Sequence, residues 1–82
     1  MAEIMPPATS ETPHIHARAN QFFYVLSGEL TVRFVDAEIV ASAGQGVSVP
    51  AGVAHQAIND GAERVEFLAI AGPSNAGDRI DL

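Results

Sequence analysis

PHIHARANQFFYVLSG, residues 13–28, and GQGVSVPAGVAHQAIN, residues 44–59, are the two stretches on which the reading of this chain turns. The first opens with His14 and His16, and the second carries His55, the last of the chain's three histidines. Residues i and i+2 of a strand leave the same face, so His14 and His16 point together. Gln21 follows; where it opens the next strand it shares a face with Phe23 and Val25. His55 is entered through Pro50-Ala51-Gly52, a turn whose proline fixes φ and whose glycine tolerates the reversal. Three neutral imidazoles and an amide oxygen meeting in one cup would make a divalent-metal site with positions left open for water or substrate. An H-x-H pair alone fits surface or core histidines as well as ligands. The metal reading gains because no histidine lies outside these two stretches.

The rest of the chain reads as short strands and turns. QFFYVLS (21–27) is apolar on both faces, as expected of a strand buried on both sides. Ser27-Gly28 supplies a turn, and ELTVRFV (29–35) then alternates, with Leu30, Val32 and Phe34 opposite Thr31 and Arg33. Asp36-Ala37 reverses the chain into EIVAS. ERVEFLAIA (63–71) alternates again, with Val65, Phe67 and Ala69 on one side, after the turn signal Asn59-Asp60-Gly61. No window carries a helical period with caps. Many short strands with Gly/Pro turns imply an all-β fold, an antiparallel sandwich or barrel. The chain is expected to be one domain over 1–82, with the barrel core over 14–71. Residues 1–12, rich in Pro, Ser, Thr and Glu, read as a flexible or dimer-exchanging arm unless Ile4-Met5 docks as an edge strand. GPSNAGDRIDL (72–82) reads as a polar, turn-rich tail until Ile80.

Composition narrows the function classes. A chain of 82 residues buries only about 60–65% of its unfolded surface, and without cysteine no disulfide compensates. Yet 48% of it is apolar and only 17% charged. Part of that apolar surface is expected at a subunit interface, so the chain is read as a homodimer whose Pro-rich arm crosses onto a neighbour's sheet edge. A net charge of −6 with four Lys+Arg argues against nucleic acid and against anionic membranes. No apolar run approaches the ~18 residues of a membrane span. The start MAEIMPPATSETP has no basic-then-apolar leader. The expectation is a soluble, cytoplasmic protein.

The two stretches resemble the paired motifs of the cupin superfamily, small barrels of the double-stranded β-helix or jelly-roll type. The first motif is H-x-H, a short spacer, an acid, six residues and Gly, here His14, His16, Gln21 and Gly28. The second is Gly, five residues, Pro-x-Gly, two residues, His, three residues and Asn, matched by Gly44, Pro50, Gly52, His55 and Asn59. The resemblance implies metal ligation by His14, His16, His55 and the residue at position 21, with manganese, iron, nickel or zinc all admissible. It implies a supporting role for Asn59. Two departures stand out. Family members usually have more chain before the first motif, so N-terminal edge strands are expected to be missing. And Gln21 stands where the family usually has Glu. An amide leaves a divalent site at +2 where a carboxylate would leave +1, which weakens affinity and makes the ion more Lewis-acidic. Relatives with a glutamine ligand are known, so the resemblance keeps Gln21 in the set, while a purely space-filling Gln21 is the alternative.

Phe23, Val25, Phe34 and Phe67 are the expected lining of a small apolar substrate pocket. No paired carboxylates, no Ser–His pair and no phosphate-binding loop are visible. Two functions stay open: a metal-dependent enzyme of dioxygenase, isomerase or lyase type on a small organic substrate, and a non-catalytic small-molecule-binding or sensing module.

Overall fold

Alternation in the sequence becomes alternation in space. The computed structural model describes residues 2–72 and 78–82, and every regular element in them is a strand. They are β1 (Ala2–Met5), β2 (Thr9–Ser10), β3 (His14–His16), β4 (Asn20–Ser27), β5 (Glu29–Arg33), β6 (Glu38–Ser42), β7 (Gly46–Val49), β8 (Gln56–Asn59), β9 (Val65–Gly72) and β10 (Arg79–Asp81). β1-β9-β4-β7 and β2-β8-β5-β6 form two four-stranded sheets, and β10-β3 a two-stranded one. All pairings are antiparallel. The architecture is the jelly-roll barrel that the motifs implied.

The core lies between the sheets. Val25, Leu30, Val32, Val65 and Phe67 are each at most 1% exposed, from β4, β5 and β9. Each is the inward member of an alternating pair, and removing such side chains from water is the main drive to fold. Gly28 shows what the β4–β5 turn demands. Its φ is +80°, and a Cβ there would stand 2.5 Å from the Arg64 carbonyl oxygen, so only glycine lets the turn pass beneath β9. Asn59 is 1% exposed; its amide donates to the carbonyls of Met5, Pro6 and Glu63, and its Oδ1 accepts from Gly61 N–H. It supports the fold, tying the β1–β2 turn to the β8–β9 turn.

Three expectations are corrected. β4 is not buried on both faces: Phe22, Tyr24 and Leu26 are 38%, 37% and 46% exposed. Residues 2–12 do not stand apart as a free arm, and the alternative holds, with Ile4-Met5 docked as part of an edge strand. β1 pairs with β9, in the register Ile4↔Glu66, and β2 pairs with β8, so this chain supplies its own edge strands. The tail is not all turn, because Arg79–Asp81 pairs with β3. The turn-rich reading of 73–77 lies outside the described residues. Among those described, no helix is long and apolar enough to cross a membrane.

Candidate metal centre

β3 is three residues long, and its alternation sends His14 and His16 inward, 2% and 5% exposed, with Ile15 half-buried between them. His14 N–H donates to His55 O at 2.9 Å and His55 N–H to His14 O at 3.0 Å, an antiparallel bridge that seats the third histidine against the first. The Pro50–Gly52 turn closes on the same strand: Gly52, at φ +79°, gives its N–H to the His16 carbonyl at 2.8 Å. The reversal expected at this glycine is therefore made with a positive φ, and it leads the chain to His55. Gln21 opens the inward face of β4 and is 9% exposed. The sequence-predicted set of His14, His16, Gln21 and His55 meets in one place.

The three histidines offer ring nitrogens that lie within 4.8 Å of one another. Two metal–nitrogen bonds of about 2.1 Å put ligand atoms about 3.0–3.4 Å apart at octahedral or tetrahedral angles, so rings within 4.8 Å of one another need draw together by on the order of 1.5 Å to chelate one ion. Two of the rings are fixed by backbone. His14 Nδ1 lies 3.0 Å from Thr12 O, and His55 Nδ1 lies 3.0 Å from Val53 O. A carbonyl only accepts, so each Nδ1 donates and each Nε2 keeps a lone pair when the ring is neutral. The Nδ1 of His16 is buried and has no hydrogen-bond partner among the described residues. A buried imidazole nitrogen without a protein partner fits a ring that serves a ligand beyond the protein.

His55 and Gln21 sharpen the test. His55 Nε2 lies 2.8 Å from Gln21 Oε1. With Nδ1 donating to Val53, a neutral His55 meets the amide oxygen lone pair to lone pair. That pairing is satisfied by a protonated ring, by an amide turned to present its NH₂, or by a cation held between the two atoms. Burial holds His55 below the usual histidine range against the opposing pull of the Val53 carbonyl, and the neighbouring His14 and His16 add to the lowering. His16 is lowered too, first by burial and then by His14. The protonated ring is thereby disfavoured at His16 and His55, which favours the form of these two that binds metal. The donor set fits a divalent transition ion.

The expected pocket lining separates into two groups. Phe23 stands 6.1 Å from the His55 ring and 5.8 Å from Phe67, forming the apolar floor beneath the histidines. Phe34 is half-buried and, with His55 and Leu82, borders a cavity of about 190 Å³. Val25 and Phe67, at 0% and 1% exposure, belong to the close-packed core and border neither this cavity nor the one of about 320 Å³ beside Gln21 and Pro50. One residue that sequence reasoning passed over also reaches the site's scaffold. Asp78 is 4% exposed and receives backbone N–H groups from the loop between β3 and β4. A lone aspartate in a polar tail gave no signal of this.

Known proteins of the same shape exist. TT1209 of Thermus thermophilus shares 26% identity over 88% of this chain and 69% of its own, with a TM-score of 0.82. An uncharacterized conserved protein with a double-stranded β-helix domain from Klebsiella pneumoniae shares 25% over 98% of this chain and 70% of its own, at 0.87. A predicted oxalate decarboxylase from Thermotoga maritima shares 27% over 85% of this chain and 61% of its own, at 0.79. No protein of curated function matches the sequence. The family model described as the cupin domain matches residues 1–71. With both motifs folded around one cup, the chain belongs to the cupin family.

Proposed function

We propose that the cup holds one divalent transition metal on His14, His16, His55 and Gln21, and that the protein is a metal-dependent enzyme acting on a small, oxygen-bearing organic molecule. The observation that carries this reading is the convergence of three buried imidazoles, one with a nitrogen unpartnered among the described residues and one facing an amide oxygen. When bound, such an ion supplies Lewis acidity and open coordination positions, the basis of dioxygenase-, isomerase- and lyase-type chemistry. The protein's own residues set the conditions. The Thr12 and Val53 carbonyls hold His14 and His55 in one tautomer and orientation. Phe23 walls the histidines with apolar surface, which excludes water and strengthens electrostatic interactions in the cup. Gln21 adds an oxygen donor without charge. The Thermotoga maritima relative, named for a small dicarboxylate substrate, is consistent with a ligand that chelates through two oxygens.

One observation favours the second reading, a non-catalytic binding module. Among the described residues no carboxylate hydrogen-bonds to the histidine cluster, so no side chain stands ready as a general acid or base. Metal analysis after reconstitution with manganese, iron, nickel and zinc tests the site first, with about one ion per chain expected and most of it lost in His16→Ala and His55→Ala. Unchanged stoichiometry in both variants would remove the assignment. Oxygen uptake and product analysis with enols, catechols and small dicarboxylates then separate enzyme from binding module.

The second copy belongs to this reading. Phe22, Tyr24 and Leu26 of β4, Ile70 of β9 and Ile4 of β1 present apolar surface on the outer face of one sheet, each at least 37% exposed. Together they expose on the order of 500 Å² of apolar area, against about 800 Å² per partner at roughly 65% apolar in a standard homodimer. For a chain of net charge −6, this apolar sheet face is the approach a like-charged copy finds least repulsive. The proposed dimer therefore packs sheet face on sheet face.

A further inference from the structure

We infer that Asp78 is a positioning residue of the metal centre, and that the chain's last five residues hold the His14–His16 strand in register from outside the matched family region. The inference rests on the metal reading above. The family match ends at residue 71. Beyond it, residues 78–82 grip residues 13–19 at both ends.

The need for a grip follows from local geometry. Only four residues separate His16 from Gln21, and in that span the chain must leave β3 and enter a different sheet. The N–H groups of Ala17, Arg18 and Ala19 have no strand partner there; Ala17 and Arg18 are exposed residues, but Ala19 is buried, and a buried amide left unpaired is costly. Asp78 takes all three. Its backbone oxygen accepts from Ala17 N–H at 3.2 Å, and its carboxylate accepts from Arg18 N–H at 3.0 and 3.1 Å and from Ala19 N–H at 2.9 Å. The Arg18 side chain, largely exposed, adds an ion pair at 3.8 Å. The carboxylate is thus held in a nest of backbone donors, charge-assisted and 1% exposed. The next residue, Arg79, opens β10 directly opposite His16, and Asp81 stands opposite His14. At the far end Leu82 N–H donates to Pro13 O at 2.9 Å. Without this segment, β3 would be a three-residue edge strand carrying two of the four ligands. Ligand strands that short owe their orientation to what packs against them.

The test uses the full-length chain, wild type and Asp78→Asn, in two measurements. Cobalt(II) titration read by its visible absorption reports affinity and ligand geometry. Amide hydrogen exchange on the metal-free protein reports which residues Asp78 orders. The expected result is a cobalt affinity weakened about tenfold or more, an altered absorption band, and faster exchange confined to residues 14–19. Wild-type affinity together with wild-type protection at His14, His16 and Ala19 would overturn the inference. Loss of protection that extends to Val25 and Phe67 would overturn it as well, since Asp78 would then serve the whole fold. If the wild type binds no cobalt, the metal reading fails by itself, and exchange at residues 14–19 alone decides whether Asp78 orders β3.

Discussion

The two faces of β4 carry the same kind of residue and meet different fates. Inward, Gln21, Phe23 and Val25 are at most 9% exposed; outward, Phe22, Tyr24 and Leu26 are 37–46% exposed. Both faces read as apolar, yet only one is covered by this chain. The inner face is closed by Val32 and Leu30 of the opposite sheet and by the histidine cup. The outer face stays partly open to solvent, and on it the ring of Phe22 lies over Gly46, where even a Cβ would collide with it. An apolar run therefore states that a surface avoids water, and leaves open whether the same chain or a second one covers it.

The sharpest way to break this comparison is to cut into each face. Phe67→Ala, on β9 beside Val25 on the same inner face, should destabilise the fold by about 3–5 kcal/mol, the cost of lost transfer energy plus a cavity at a fully buried aromatic. Leu26→Ser on the outer face should change the stability of an isolated chain by no more than about 1 kcal/mol. Urea unfolding of both variants at low protein concentration measures the difference. Equal effects would mean that the outer face is also a packed interior.

The second intervention asks what covers the outer face. Sedimentation at micromolar concentration should give twice the chain mass for the wild type and one chain mass for the double variant Tyr24→Asp, Leu26→Asp. Two carboxylates introduced on each copy would face a dry, apolar contact without partners. A wild-type monomer that stays soluble would contradict the sheet-face dimer, and a double variant that remains dimeric would move the contact elsewhere.

These faces also show what could be read from residues alone. The convergence of His14, His16, Gln21 and His55 was legible because strand alternation and a Pro-x-Gly turn translate spacing into direction. The inward positions of Leu30, Val32, Val65 and Phe67 were legible for the same reason. The ends of the chain were not. β1, β2 and β10 are two to four residues long and are held by backbone pairing to strands far away in sequence. Such pairing leaves no mark on composition, so a Pro- and Ser-rich segment read as a loose arm. Asp78 illustrates the limit most plainly: its carboxylate partners are main-chain N–H groups some 60 residues away, and any residue but proline could provide them. The outer face of β4 was misread for a third reason, since a covering layer of the same chain and a surface of another molecule ask for similar side chains.

The finest test acts at the head of the inner face, where Gln21 meets His55. In the metal-free wild type, burial holds His16 and His55 below the usual histidine range. The unfolded chain, with ordinary histidines near pH 6.5, then binds protons that the folded chain resists, so stability rises with pH through this window and is lost as pH falls below it. Thermal melts of the metal-free protein between pH 5 and 7.5 should climb accordingly. Gln21→Glu reverses the sign at one of the two groups. A carboxylate in place of an amide oxygen 2.8 Å from His55 Nε2 favours the imidazolium, and the Val53 carbonyl already accepts its other proton. A raised His55 contributes stability that is fully present below pH 6.5 and lost as pH rises through its folded value. The variant's melts should therefore climb less with pH, or fall. Added metal should stabilise the variant more than the wild type, because the carboxylate brings a Coulombic term at ligand distance that the amide lacks. A variant whose pH profile parallels the wild type and which gains nothing extra from metal would place position 21 outside both the histidine contact and the coordination sphere, leaving Phe23 and Val25 as the only purpose of the inner face.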